Sequence, residues 1–118
     1  MGFMLPKEYK LKKDNDFKKV FKNGRYKQGD IIKIKFFKNN LTISRFAFLV
    51  GLKISKKATK RNNIRRILEE SVRLKFKQIK SGFDIVVIVS PDILNKKYQE
   101  IEKDLINLFQ KSNLLVEE

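Results

Sequence analysis

Residues 46–89 read FAFLVGLKISKKATKRNNIRRILEESVRLKFKQIKSGFDIVVIV, and the period of their apolar positions changes twice. Between 42 and 55 they fall on every second residue, with Phe46, Phe48, Val50, Leu52 and Ile54 inward and Gly51, Lys53 and Ser55 outward, which predicts one or two strands. From Ala58 to Ile79 the positions Ile64, Ile67, Leu68, Ser71, Val72, Phe76 and Ile79 keep helical spacing and predict the longest helix. Ser81-Gly82 breaks it. Phe83–Val89 is then a nearly continuous β-branched run, as expected of a central strand buried on both faces. A strand, a long helix and a second strand form a crossover unit, so the two strands should run parallel.

The flanking segments complete the fold. Residues 31–37 (IIKIKFF) alternate, placing Ile32, Ile34 and Phe36 on one face and Lys33 and Lys35 on the other. Upstream, Asp14, Asn15 or Asp16 can cap a short helix carrying Phe17, Val20 and Phe21, which Gly24 ends. Downstream, Pro91-Asp92 opens a last helix with an apolar stripe of Leu94, Tyr98, Ile101, Leu105 and Leu108, while Glu100, Glu102 and Asp104 face solvent. Residues 1–13 read as an N-terminal arm and 112–118 as a fraying tail. The order is helix, two or three strands, helix, strand, helix, an α/β two-layer sandwich forming one domain over 1–118.

The chain holds 28 Lys and Arg against 13 Asp and Glu, a formal charge of +15. Residues 1–83 carry 24 of the cations and 6 of the acids, so the charge is concentrated on one part of the molecule. Nucleic acid, an anionic membrane or an acidic protein could each neutralise it, and composition ranks nucleic acid first. No stretch is long and apolar enough to suggest a membrane span or signal segment, and the absence of Cys is compatible with a reducing cytoplasm.

Groups for catalysis are scarce. There is no His and no Cys, which removes the commonest general base, thiol chemistry and the usual zinc ligands. No glycine-rich phosphate loop occurs. A metal-nuclease PD-(D/E)xK pattern fails at Pro91-Asp92, since Ile101 precedes Lys103 and Asn95 precedes Lys97 by two positions. No catalytic residue is assigned.

Residues 53–66, KISKKATKRNNIRR, carry the strongest signal, with seven cations and no acid across a strand end, a loop and the first turns of the long helix. Cations at a helix N-terminus lose about 0.3–1 kcal/mol each to the helix dipole, so stability does not select Lys56, Lys57, Lys60 and Arg61 there. The same free backbone N–H groups attract phosphate. Arg and Asn interleaved with Lys add directional donors suited to structured RNA. At 100° per residue Arg61 and Arg65 turn toward the sheet, and Asn62 and Arg66 turn outward. Glu69, Glu70 and Arg73 can pair with Arg65, Arg66 or one another.

At Ala58-Thr59-Lys60-Arg61-Asn62-Asn63-Ile64-Arg65-Arg66 the chain resembles the bacterial ribonuclease P protein family, whose signature is a basic strand end followed by an RNR-type helix start. LKKDNDFKKVFKNG (11–24), GLKISKK (51–57) and GFDIVVI (82–88) extend the resemblance over nearly the whole chain. It implies an α-β sandwich of order α-β-β-β-α-β-α with a left-handed β-α-β crossover, akin to a domain of ribosomal protein S5. It further implies a cytoplasmic, monomeric protein that assists a catalytic RNA, whose bound Mg2+ cuts the 5′ leader from precursor tRNA. RNA contacts would come from Lys56, Lys57, Lys60, Arg61, Asn62, Asn63, Arg65 and Arg66, with Asn62 an indirect metal contact. The leader would lie in a cleft of Phe17, Phe21, Lys33 or Lys35, Lys53 and Ser55. Phe17 and Phe21 share a face with Val20 and read as core equally well.

Two features depart from the family pattern. Asn63 stands where the family usually has Arg or Lys, and the loop between Ile54 and Ala58 is short. The alternatives are a ribosomal or RNA-chaperone protein with no role in cleavage, and a nuclease that needs no RNA.

Overall fold

The computed structural model describes residues 5–116. Its elements are α1 (Asp14–Asn23), β1 (Arg25–Gln28), β2 (Ile32–Lys38), β3 (Arg45–Leu49), α2 (Ala58–Leu74), β4 (Phe83–Val89) and α3 (Tyr98–Lys111). The sheet has order β1-β2-β4-β3, with β4 central, antiparallel to β2 and parallel to β3 as the crossover requires. No helix among the described residues is long and apolar enough to cross a membrane.

The alternation of β2 and β4 divides the core in two. Ile32, Ile34, Phe36, Ile85 and Val87 join Phe46 under Leu68 and Val72 of α2 and Ile101, Leu105 and Phe109 of α3, forming the larger cluster. Val86 and Ala47 point the other way, against Val20 of α1 and Leu11 of the N-terminal arm. That arm covers the outer edge of β3, where Leu11 N–H donates to the Phe46 carbonyl at 2.9 Å and leaves less edge open to another strand.

Several sequence expectations shift by a few residues. β3 ends at Leu49 because the chain turns over 51–54, Ile54 N–H closing on the Gly51 carbonyl. Leu52 sits on that turn and is 69% exposed, not inward. β1 was not foreseen: its four residues are all exposed and carry no apolar alternation. α2 stops at Leu74, five residues early, and tightens into a 3-10 turn that sets Phe76 against Tyr9, ring centroids 4.5 Å apart. Pro91–Asn95 is likewise a separate 3-10 turn, so α3 starts at Tyr98 and Leu94 is exposed. At α1, Lys13 holds the N-cap position and none of the three candidate caps serves. Gly24 is extended rather than left-handed, and it is needed because a Cβ there would collide with the Val20 carbonyl oxygen.

The tail does not fray over its described part. Asn113 takes a left-handed φ of 59°, Leu114 N–H returns to the Phe109 carbonyl, and Leu114 is fully buried. Lys80 N–H donates to the Leu114 carbonyl and Val116 N–H to that of Gln78, both at 2.7 Å. Residues 117–118 of that tail, like 1–4 of the arm, lie outside the described residues.

Asp104 also departs from expectation. Its carboxylate accepts three backbone N–H groups, of Asp30, Ile31 and Ile32, each at 2.9 Å, and so fastens α3 to the β1–β2 turn. Gly29 permits this approach, since a Cβ would lie 2.7 Å from Asp104 Oδ1. Asp104→Ala is expected to lower unfolding stability by about 2 kcal/mol, three charge-assisted bonds being lost at a partly wet site. Chemical denaturation measures it, and a change below about 0.5 kcal/mol would mean water replaces the carboxylate.

Candidate nucleic-acid interface

The start of α2 is built without the usual cap. Lys57 occupies the N-cap position with no side-chain hydrogen bond, and the first turn holds no acid. Lys60 and Arg61 N–H groups close on the Lys57 carbonyl, which leaves those of Ala58 and Thr59 without an intrahelical partner. Lys56, Lys57, Lys60, Asn62, Asn63 and Arg66 are all exposed around them. An anion there would meet free N–H groups, the positive end of the helix dipole and mobile cations.

Arg61 and Arg65 are half-buried and turn inward, as their spacing predicts. Arg61 Nη1 donates to the Ser55 carbonyl at 2.9 Å, and Arg65 Nη2 to the Val50 carbonyl at 3.0 Å. Each clamps the loop between β3 and α2, using one or two of the five guanidinium N–H donors. Arg65 Nη1 also reaches Asn62 Oδ1 at 2.6 Å. That bond uses one of the two lone pairs of the Asn62 side-chain oxygen and sets a guanidinium cation directly against it. Beside that cation Asn62 does not fit a direct metal ligand, and among the described residues no group of three or more His, Cys, Asp or Glu could hold a metal ion.

Glu69 belongs to neither flank. It pairs with Lys10 of the arm at 3.8 Å, not with Arg66. Burial raises its carboxyl above the usual range, against the opposing pull of Lys10 and Arg65.

The second group lies on the sheet face that α1 only partly covers. Strand register sets Tyr26, Lys35, Val86 and Ala47 in one row across this face and Gln28, Lys33, Ile88 and Leu49 in the next. α1 seats Val20 on the first row and leaves Leu49 and Gln28 exposed and Lys33 and Ile88 half-buried. Phe21 is 41% exposed at its border, and Phe17 is half-buried with its ring stacked on Phe21 at 6.5 Å and 16°. Of the three apolar residues of α1, only Val20 is fully core. Lys35 Nζ donates to the Phe21 carbonyl at 3.0 Å and stands 5.5 Å from the Phe21 ring centroid, so it caps the end of α1 and holds the ring.

Lys53 and Ser55 are not on this strand face. They belong to the turn and loop beyond β3, where the Ser55 carbonyl takes Arg61 and its Oγ accepts from Lys57 N–H at 3.1 Å. They join the α2 start, while Phe17, Phe21 and Lys35 form a separate cluster with Lys33 one row away. Sequence reading missed Tyr26, Gln28, Leu49 and Ile88, whose common face is visible only in the register. It also missed the buried Asp84, which accepts from Arg45 Nε at 2.8 Å and Nη2 at 2.7 Å, while Arg45 reaches Asp16 of α1 at 3.3 Å. That chain of charges holds α1 on the sheet, and the bond to Asp84 raises the pKa of Arg45 further.

A family model described as Ribonuclease P matches residues 5–113. The chain is 36% identical to the ribonuclease P protein component of Alkaliphilus metalliredigens, over 90% of this chain and 95% of the relative. It is 35% identical to that of Fusobacterium nucleatum, over 89% and 97%. Among solved structures, the RNase P protein from Thermotoga maritima in complex with 1-(4-fluorophenyl)-2-thiourea superposes with a TM-score of 0.77 at 33% identity, covering 84% of this chain and 95% of that one. The RNase P protein of Staphylococcus aureus gives 0.84 at 22% identity, over 92% and 98%, a likeness of fold.

Proposed function

The chain belongs to the ribonuclease P protein family, and from that premise we propose that it meets RNA on two separate faces. As a member it is the accessory protein subunit of an RNA-based endoribonuclease, and its partner is the ribonuclease P RNA. The start of α2, with Lys56, Lys57, Lys60, Arg61, Asn62, Asn63, Arg65 and Arg66, binds that catalytic RNA. The α1–sheet face, with Phe17, Phe21, Lys33 and Lys35, receives the single-stranded 5′ leader of precursor tRNA. Lys53 and Ser55 sit where a leader leaving this face would approach the catalytic RNA. Magnesium is held by RNA, and the protein works in the cytoplasm as a monomer.

The observation that carries this reading is the uncapped, acid-free start of α2, where free N–H groups and cations crowd together at a cost in stability. Phosphate removes that cost. Nothing in the fold favours the ribosomal or chaperone alternative over the family's own role.

Reconstitution tests the proposal. Adding the protein to a ribonuclease P RNA at low magnesium should speed leader removal from precursor tRNA, and neither the protein alone nor the protein with metal should cut. An unchanged rate would refute the assisting role, and cleavage without RNA would point to a self-sufficient nuclease.

The two cleft lysines should separate. Lys35 is already engaged by Phe21, so Lys35→Ala should weaken leader binding about two- to fivefold by releasing the ring, with little change in the salt dependence. Lys33→Ala should instead lower the salt slope of log affinity by about 0.7, the value of one single-strand phosphate contact. Equal slopes for the two variants would remove the positioning role of Lys35.

A further inference from the structure

At the opposite end of the sheet from the start of α2, a cavity of about 390 Å3 opens between the C-terminal ends of α1 and α3. Lys38 and Lys33 are five residues apart on β2, so this cavity lies about 17 Å along the strands from the Lys33 row. Arg25, Lys38 and Lys80 line it from three separate segments. No ion pair among the described residues engages any of the three.

The remaining walls are chemically mixed. Phe83 is braced edge-on by Phe36, ring centroids 6.3 Å apart, and Phe37 is also in the lining. Asn23 at the end of α1, Ser112 and Asn113 complete it, Asn113 in the left-handed turn that ends α3. The Ser112 hydroxyl is the one buried side-chain polar atom among the described residues with no hydrogen-bond partner. A buried hydroxyl left unpaired is unfavourable unless something binds to it. Helix C-termini attract cations, which accounts for part of the charge here. That attraction falls off within a turn and explains neither the cavity nor the orphaned hydroxyl.

We propose that this cavity binds one nucleoside 5′-phosphate. Arg25, Lys38 and Lys80 neutralise the phosphate, the exposed part of the Phe83 wall takes the face of the base, and Ser112 and Asn113 offer hydrogen bonds to sugar or base. Aromatic rings accept any base face, so the site is tolerant of sequence. The nucleotide is either free or an unstacked residue of an RNA, and the two share this chemistry. The proposal does not depend on which RNA the α2 start binds.

The test is an amide NMR titration of the full chain with AMP, adenosine and inorganic phosphate at constant ionic strength. AMP should shift the amides of Lys80, Ser112 and Asn113 saturably and bind at least about fivefold more tightly than adenosine or phosphate alone, since each of those keeps only half of the contacts. Combining Arg25→Ala with Lys80→Ala should weaken AMP about tenfold or more. Ser112→Ala should weaken it too while leaving the thermal midpoint unchanged or raised, because the variant removes an unpaired hydroxyl.

Shifts confined to Phe21 and the α2 start would overturn the proposal, as would phosphate binding as tightly as AMP or no binding at all. In complex with a ribonuclease P RNA, loss of AMP binding together with weaker RNA affinity of the Arg25, Lys80 double variant assigns the nucleotide to RNA. AMP binding that persists with RNA affinity unchanged assigns it to a free nucleotide. Failure here leaves the salt dependence of the α2 variants as predicted, so it is distinguishable from failure of the RNA-face reading.

Discussion

Replacing Lys60, Arg61, Arg65 and Arg66 together with alanine is expected to lower affinity for the ribonuclease P RNA about 10³-fold near 0.1 M salt. Each phosphate contact adds about 0.7 to 0.9 to the slope of log affinity against log salt, so four contacts contribute a slope of about 3. At 0.1 M, one unit below the 1 M reference on the log scale, that slope equals about three decades. Arg65→Ala alone should remove one contact's worth. Arg61 and Arg65 also hold the Ser55 and Val50 carbonyls, so part of their loss would appear even at high salt, as a displaced loop. Lys60 and Arg66 are exposed and make no such bond among the described residues, so their loss should vanish at high salt. Affinity measured across a salt series separates the two components. An unchanged slope in the fourfold variant would remove the α2 start from the RNA interface.

Asp84→Ala is expected to lower stability by about 3 kcal/mol, more than Asp104→Ala. The carboxylate is 3% exposed and takes Nε and Nη2 of Arg45 and Nδ2 of Asn39, all within 2.8 Å. Without it the Arg45 guanidinium keeps only Asp16, and Asn39 loses a partner. Removing one member of a fully buried pair costs about 3–5 kcal/mol, and Arg45 reaches solvent, which puts the loss at the lower end. For a domain of this size the thermal midpoint should fall by about 10 °C. Asp84→Asn keeps one acceptor and should lose less. A midpoint within about 2 °C of the parent would show that the cluster adds nothing net. Because Arg45 also anchors Asp16 of α1, a destabilised Asp84 variant should further loosen the Phe17–Phe21 platform and weaken leader binding.

The fold was legible where one period persisted. Residues 83–89 and the start of α2 at Ala58 fall where their patterns put them, because a long apolar run and a change from period 2 to helical spacing depend on the local chain alone. β1 was illegible because its residues RYKQ are exposed on both sides, and only hydrogen bonds to β2 make it a strand. Leu52 and the 3-10 turns at Phe76 and Pro91 escaped for a related reason: a turn interrupts the period without changing the residue types. In the candidate interface, the seven cations of 53–66 stood out by composition. Placing Lys53 and Ser55 on a strand face failed because the strand ends at Leu49.

By itself the sequence determined the three helices and the strands β2, β3 and β4 to within a few residues at their ends, the buried faces of β2 and α2, and that positive charge gathers where α2 begins, since each follows from residue type and spacing. Only the tertiary structure decided what the polar groups do. Asp104 looks like solvated helix surface, yet it holds backbone amides 72 to 74 residues away. Lys35 looks like a free cleft cation, yet it is bound to Phe21. Apolar periodicity records which side of an element leaves water. A hydrogen bond needs a partner within about 3 Å, and folding alone brings that partner from a distant part of the chain.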